Sequence, residues 1–202
     1  MTDKKLFVYT DGSCINNGKK NCFGAIGIFF TDNDSDNLGQ AIDNEGNKVT
    51  NQTMELLAVI QALKIIDDKI DRNEINPKII VICTDSTYII NSITKWYGNW
   101  IKNNWKNSKG DDVENKDLIQ LLHELKSKYI TIFKHIRSHQ SEPSDKDSEK
   151  YCHWYGNNMA DKLATNASKQ YMNEKLNENI EVEEVKVKSK SKSKKIKNSL
   201  NV

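Results

Sequence analysis

Four carboxylates stand in stretches where acids can do more than solvate a surface. Asp11 ends the apolar run of "LFVYTDGS", and Asp85 ends "IIVICT" just before "STYIINSIT". Glu55 sits in "TMELLAV" among Met54, Leu56, Leu57 and Ala58, and Asp161 in "NNMADKLA" beside Ala160, Leu163 and Ala164. Each has an ordinary explanation alone. Asp before Gly is turn chemistry. An acid near a helix start, as Glu55 in a first turn and Asp85 just before the next helix are expected to be, is also ordinary, since it caps amides and meets the positive dipole end. Together they point elsewhere. If the strands carrying Asp11 and Asp85 are neighbours, the two acids converge at one sheet edge. Like charges at close quarters repel and raise one another's pKa. No Lys or Arg stands in "YTDGS", "TMELL" or "CTDST" to offset them. A divalent cation is the natural compensation, and oxygen-only ligands favour Mg²⁺ or Mn²⁺ over zinc. Two such ions about 3.5–4 Å apart activate a water and stabilise a leaving oxygen in phosphodiester cleavage. On the residues alone, the substrate stays open.

Such convergence needs a scaffold. "KLFVYT" and 23–31 read as strands, with glycines in the second that permit close approach or a bulge. A weaker strand covers 38–43. Residues 51–67 form a buried helix, apolar around most of its girth. The β-branched run 78–84 is a central strand buried on both faces. Helices follow at 86–94, 97–105 and 115–128, then a strand at 129–136 and a last helix at 156–172. The order βββαβαααβα predicts an α/β fold with a mixed sheet.

At 202 residues the chain suits one domain with an addition at one end. Charge marks the addition. Residues 186–197, "KVKSKSKSKKIK", hold seven lysines and no acid, so a net charge of +2 leaves −5 for the remainder. The body is therefore not a uniformly basic nucleic-acid binder. The folded domain is expected at 1–172. Residues 173–202 are expected to be an acidic linker and a disordered Lys/Ser tail: an electrostatic hook for nucleic acid, a nuclear address or solvation. Cys14, Cys22, Cys83 and Cys152 show no C-x-x-C spacing and read as reduced, mostly packed thiols. No apolar run is long enough to span a bilayer, and "MTDKK" is too polar for a signal segment. A soluble intracellular monomer is expected, in cytoplasm or nucleus.

At these same residues the chain resembles a ribonuclease H of the type 1, eukaryotic-like group. The similarity covers about 5 to 170, in order. It rests on "YTDGSCINNGKK", "TNQTMEL", "CTDSTYIINSITKWYGNW", "WKNSKGDDVENKDL", "FKHIRSHQ" and "GNNMADKLA". It implies a five-stranded mixed sheet flanked by helices. It also implies Mg²⁺-dependent endonucleolysis of the RNA strand of an RNA–DNA hybrid, leaving 5′-phosphate and 3′-hydroxyl ends. Asp11, Glu55, Asp85 and Asp161 then match the metal-binding acids. His139 matches a loop histidine that assists proton transfer or product release. Asn17, Asn51 and Gln52 match contacts to bases and 2′-hydroxyls, the group that tells RNA from DNA. Lys48, Thr50 and Asn115 match a pocket for a phosphate of the DNA strand, and Tyr88, Trp96 and Ser108 a channel that cradles that strand.

The chain also departs from the family pattern. Its protrusion is thin in basic residues, with Lys102, Lys106 and Lys109 after Lys95. The stretch from His139 to Asp161 is longer than usual, with a surplus loop expected around 142–155. A hybrid-binding protein without activity is one alternative, and the four acids argue against it. A structure-specific DNA nuclease on the same fold is another, and Asn17, Asn51 and Gln52 argue for RNA instead.

Overall fold

The computed structural model describes residues 5–19, 21–43, 48–138 and 140–199, with side chains through residue 178. Its first strand is buried on both faces. In β1 (Lys5–Ile15) Val8 and Tyr9 are both buried, but in separate apolar clusters. Successive strand side chains point to opposite faces. β2 (Phe23–Phe29) pairs antiparallel with β1, and β3 (Leu38–Ile42) antiparallel with β2. β4 (Ile79–Thr84) runs parallel on the other side of β1, and β5 (Thr131–His135) parallel to β4. The order β3-β2-β1-β4-β5 is the mixed five-stranded sheet expected from the sequence. β4 lies between β1 and β5, which explains its β-branched, fully apolar run.

Helix α1 (Asn51–Asp71) buries Met54, Leu56, Val59, Ile60, Leu63 and Ile66. Most of these join Val8, Ile26, Ile28, Ile80 and Ile82 of the sheet in the larger core, with Ile119 and Leu122 of the helix Lys116–Ser127. Tyr9, Phe29, Val81, Cys83, Ile136 and Ala160 form the core of the opposite face.

Three elements differ from the sequence reading. The expected helix 86–94 is α2 (Thr87–Asn91) followed by a π-helical turn, Ser92–Trp96. It runs on into α3 (Tyr97–Lys102), shorter than the expected 97–105. Such turns insert a residue without any Gly or Pro to announce them. Residues Lys116–Ser127 form α4. The last helix, α5 (Glu149–Ser199), starts seven residues before Gly156. The Ser148 hydroxyl accepts from the Tyr151 amide at 3.1 Å, a cap that starts the helix here. Much of the expected surplus loop is thus helix. At the other end, helical backbone continues through Ser199, where a linker and a disordered tail were expected. No Gly or Pro follows Gly156, and Glu and Lys are good helix formers. The chain divides into two compact units, Met1–Ser168 and Lys169–Val202. Among the described residues no helix is long and apolar enough to cross a membrane.

Candidate active site

β1 and β4 place the first two acids. The parallel register pairs Tyr9 with Cys83, the last pair of that ladder. Asp11 and Asp85 each lie two residues further on, beyond the carboxyl end of β4. Ligand sites of open α/β sheets form at such ends. Asp11 shares the parity of Tyr9 along the strand, whereas Gly12 shares that of Val8.

Two glycines let helices close on this point. A Cβ on Gly12 would collide with the backbone of Met54 and Glu55, so its absence lets α1 approach and deliver Glu55. Gly27 is the strand partner of Asp11, and a Cβ there would collide with the backbone at Ala160 and Ala164. Its absence lets α5 approach with Asp161 one residue along. The glycines of β2 were expected to permit close approach, and Gly27 does so.

Asp11, Glu55 and Asp85 converge. Each offers an oxygen, and these oxygens lie within 4.8 Å of one another. Asp161 is more exposed and lines the same 360 Å³ cavity with Asp11 and Asp85. Asp11 is 9% exposed. Burial, then the charges of Asp85 and Asp161, push its carboxyl up to about 7 against a hydrogen bond from the Gly12 amide. Burial raises Glu55 well above the carboxylate range, with Asp11 and Asp85 adding to it. Burial also raises Asp85, opposed by a hydrogen bond from Ser138. Glu55 lies beyond the first turn of α1, so dipole stabilisation does not account for it. Its Oε2 is buried without a hydrogen-bond partner. Repelling oxygens, one of them orphaned, fit a hard divalent cation.

The polar rim is built differently. Thr50 caps α1 in a reciprocal pair with Thr53: each accepts from the other's amide, at 3.1 and 2.8 Å. Asn51 and Gln52 are exposed on the first turn, and the Asn51 amide donates to Asn17 Oδ1 at 3.3 Å. Lys48 pairs with Glu114 at 3.1 Å. Asn115, left-handed at φ 58°, donates from Nδ2 to the Tyr88 hydroxyl at 3.2 Å. The Tyr88 ring lies 6.4 Å from that of Trp96, which lies 5.6 Å from Trp100. Trp96 is 38% exposed and borders a hollow shared with Trp100 and Ser108. His139 lies outside the described residues.

The cavity is also lined by residues that the sequence reading did not single out, among them Arg137, Ser138 and Asn157. Asn157 is 8% exposed, with a buried Oδ1 that finds no partner. It precedes Asp161 by four, one helical turn on the same face, a spacing that was there to be read. Arg137 and Ser138 open the motif "RSHQ", with no periodicity to mark them as site residues.

The family model described as RNase H matches residues 3–169. Ribonuclease H of Clostridium botulinum is 36% identical over 169 residues, 83% of this chain and 98% of that protein. Ribonuclease HI of Rickettsia conorii is 35% identical over 162 residues, 80% of this chain and 90% of that protein. Among solved structures, LC9-RNase H1, a type 1 RNase H with the type 2 active-site motif, superposes with a TM-score of 0.59 at 22% identity. It covers 84% of this chain and 74% of that one. LC11-RNase H1 in complex with an RNA/DNA hybrid gives a TM-score of 0.52 at 19% identity, covering 83% and 99%.

Proposed function

We infer function from one premise: this chain belongs to the RNase H family. It is a ribonuclease H, and the reading we propose is endonucleolytic hydrolysis of the RNA strand of an RNA–DNA hybrid. The observation that carries it is the convergence of Asp11, Glu55 and Asp85 around an orphaned Glu55 oxygen. Asp11, Glu55, Asp85 and Asp161 would hold two hard divalent cations, Mg²⁺ with Mn²⁺ as a substitute. When bound, these supply activation of the attacking water and stabilisation of the leaving 3′-oxygen, giving 5′-phosphate and 3′-hydroxyl ends.

The chain's own residues do the rest. Ser138 fixes the Asp85 carboxylate by a hydrogen bond. His135 Nε2 donates to the Asp85 carbonyl at 3.2 Å and holds the backbone of that turn. Asn17 and Asn51, tied through an amide, present side chains to the 2′-hydroxyls of the RNA strand, with Gln52 beside them. Lys48, Thr50 and Asn115 receive a phosphate of the DNA strand. Tyr88, Trp96 and Ser108 cradle that strand. His139 takes or passes a proton at neutral pH.

Cleavage of matched RNA–DNA, RNA–RNA and DNA–DNA duplexes tests the reading, with Mg²⁺ and with chelator. RNA cut only in the hybrid, and only with Mg²⁺ or Mn²⁺, is the expected result. Cleavage of DNA–DNA at a similar rate would favour the structure-specific nuclease instead.

A further inference from the structure

We infer that Glu114 is a built-in competitor for the phosphate that Lys48 receives, and so sets how tightly this enzyme holds its substrate. The inference rests on the ribonuclease reading above. Lys48 Nζ and Glu114 Oε2 are 3.1 Å apart, with side chains 59% and 69% exposed. Each end of the pair sits in an anchored segment. The Lys48 carbonyl accepts from Thr53 Oγ1 at 2.7 Å, inside the capping arrangement that starts α1. Glu114 directly precedes Asn115, whose left-handed turn is anchored on Tyr88. The ion pair thus joins the two segments that supply Lys48, Thr50 and Asn115 to one patch.

The chemistry is an exchange of anions. A phosphodiester reaching Lys48 must displace a carboxylate that is already there. Exposed pairs open at little cost. Yet the displaced Glu114 remains beside the incoming phosphate as an unpaired like charge. Lys48 then contributes less to binding than a free lysine would, and fewer counterions are released at that phosphate. An acid in this place is a brake on affinity, and its removal need not touch the carboxylates at Asp11.

The test is hybrid binding by Glu114→Gln, Lys48→Gln and the double variant. It uses anisotropy of a labelled RNA–DNA hybrid, in Ca²⁺ to block cleavage, across a salt series. Glu114→Gln should tighten binding about two- to fivefold at low salt. It should also steepen the salt dependence by up to about 0.9 in slope. In the Lys48→Gln background most of that gain should vanish. Turnover of Glu114→Gln at saturating hybrid in Mg²⁺ should equal wild type. No gain from Glu114→Gln overturns the inference. An equal gain with and without Lys48 overturns it too, because general surface charge would then be the cause. If the wild type cuts hybrids and either result is found, only the competition fails; if it does not cut hybrids, the ribonuclease reading falls first.

Discussion

The carboxylate cluster and the polar rim beside it are built on opposite terms. The carboxylates of the cluster carry one sign, sit on a strand, a strand end and a helix, and are brought together by missing side chains at Gly12 and Gly27. Around Lys48 the groups are exposed or half-buried and already satisfied: Lys48 by Glu114, Asn115 by Tyr88, Asn17 by an Asn51 amide. The first region stores unfavourable electrostatics that a bound cation would relieve. The second stores almost nothing, and under our inference it would exchange one partner for another. Changes in the cluster should therefore alter chemistry and stability together. Changes at the rim should alter affinity alone.

The largest expected effect is at Asp85. Asp85→Asn keeps the shape but removes a charge from the cluster. A charge stabilisation of several kcal/mol is lost in the transition state, so turnover of the hybrid should fall by about 10³-fold or more. Stability without metal should not fall, because a repulsive charge has gone. Hybrid cleavage and thermal unfolding of the same variant measure both. Turnover near wild type would break the distinction between the two regions at once.

Gly27→Ala comes next. Its Cβ has no room against the backbone at Ala160, so overpacking should cost about 1–3 kcal/mol. The shift of α5 should also lower turnover, although no acid is changed. Denaturant unfolding together with steady-state kinetics reads the two effects. Lost stability with full turnover would mean that Asp161 does not depend on this packing.

The cluster should also make stability depend on pH. The Asp11 carboxyl is raised from 3.8 to about 7, so the folded protein holds this proton more tightly than the unfolded chain does. That contribution is fully present below about 4 and is lost as pH rises to about 7. Glu55 and Asp85 shift in the same direction. Chelated protein should thus lose melting temperature across this range relative to Asp11→Asn. Mg²⁺ should restore it at pH 8 more than at pH 5, since a ligand of the folded state stabilises it. Parallel curves for wild type and Asp11→Asn would show that the repulsion is not felt.

Much of this was legible in the sequence because it depends on local pattern. The β-branched run of β4 and the apolar girth of α1 each fix an element, and acids at strand ends fix a direction. Convergence of Asp11 and Asp85 followed from one assumption, adjacency of two strands, which the parallel ladder bears out. What was not legible depends on contact across the sequence. No local signal announces the π turn at Ser92–Trp96, or that Lys48 meets Glu114 from 66 residues away. The start of α5 was misplaced for a related reason: Gly156 reads as a boundary, whereas Ser148 supplies the cap.

The smallest effect belongs to the lysine segment 186–197, which extends the comparison to binding with no part in the chemistry. Its seven lysines offset a remainder of −5, and they lie far in sequence from every carboxylate of the cluster. We propose that the segment raises hybrid affinity by neutralising phosphates. Truncation after residue 180 should then weaken binding and lower the magnitude of the salt slope by about 0.9 for each phosphate the segment had neutralised. Turnover at saturating hybrid should hardly change, because none of the proposed chemical groups is removed. Apparent dissociation constants of both forms in Ca²⁺, across a salt series, supply the slopes. Equal slopes would mean that the segment does not touch the substrate, leaving a nuclear address or solvation as its role. A truncated form with reduced turnover would be more telling, because it would make a segment defined by charge alone part of the catalytic machinery and dissolve the boundary between holding the strand and cutting it.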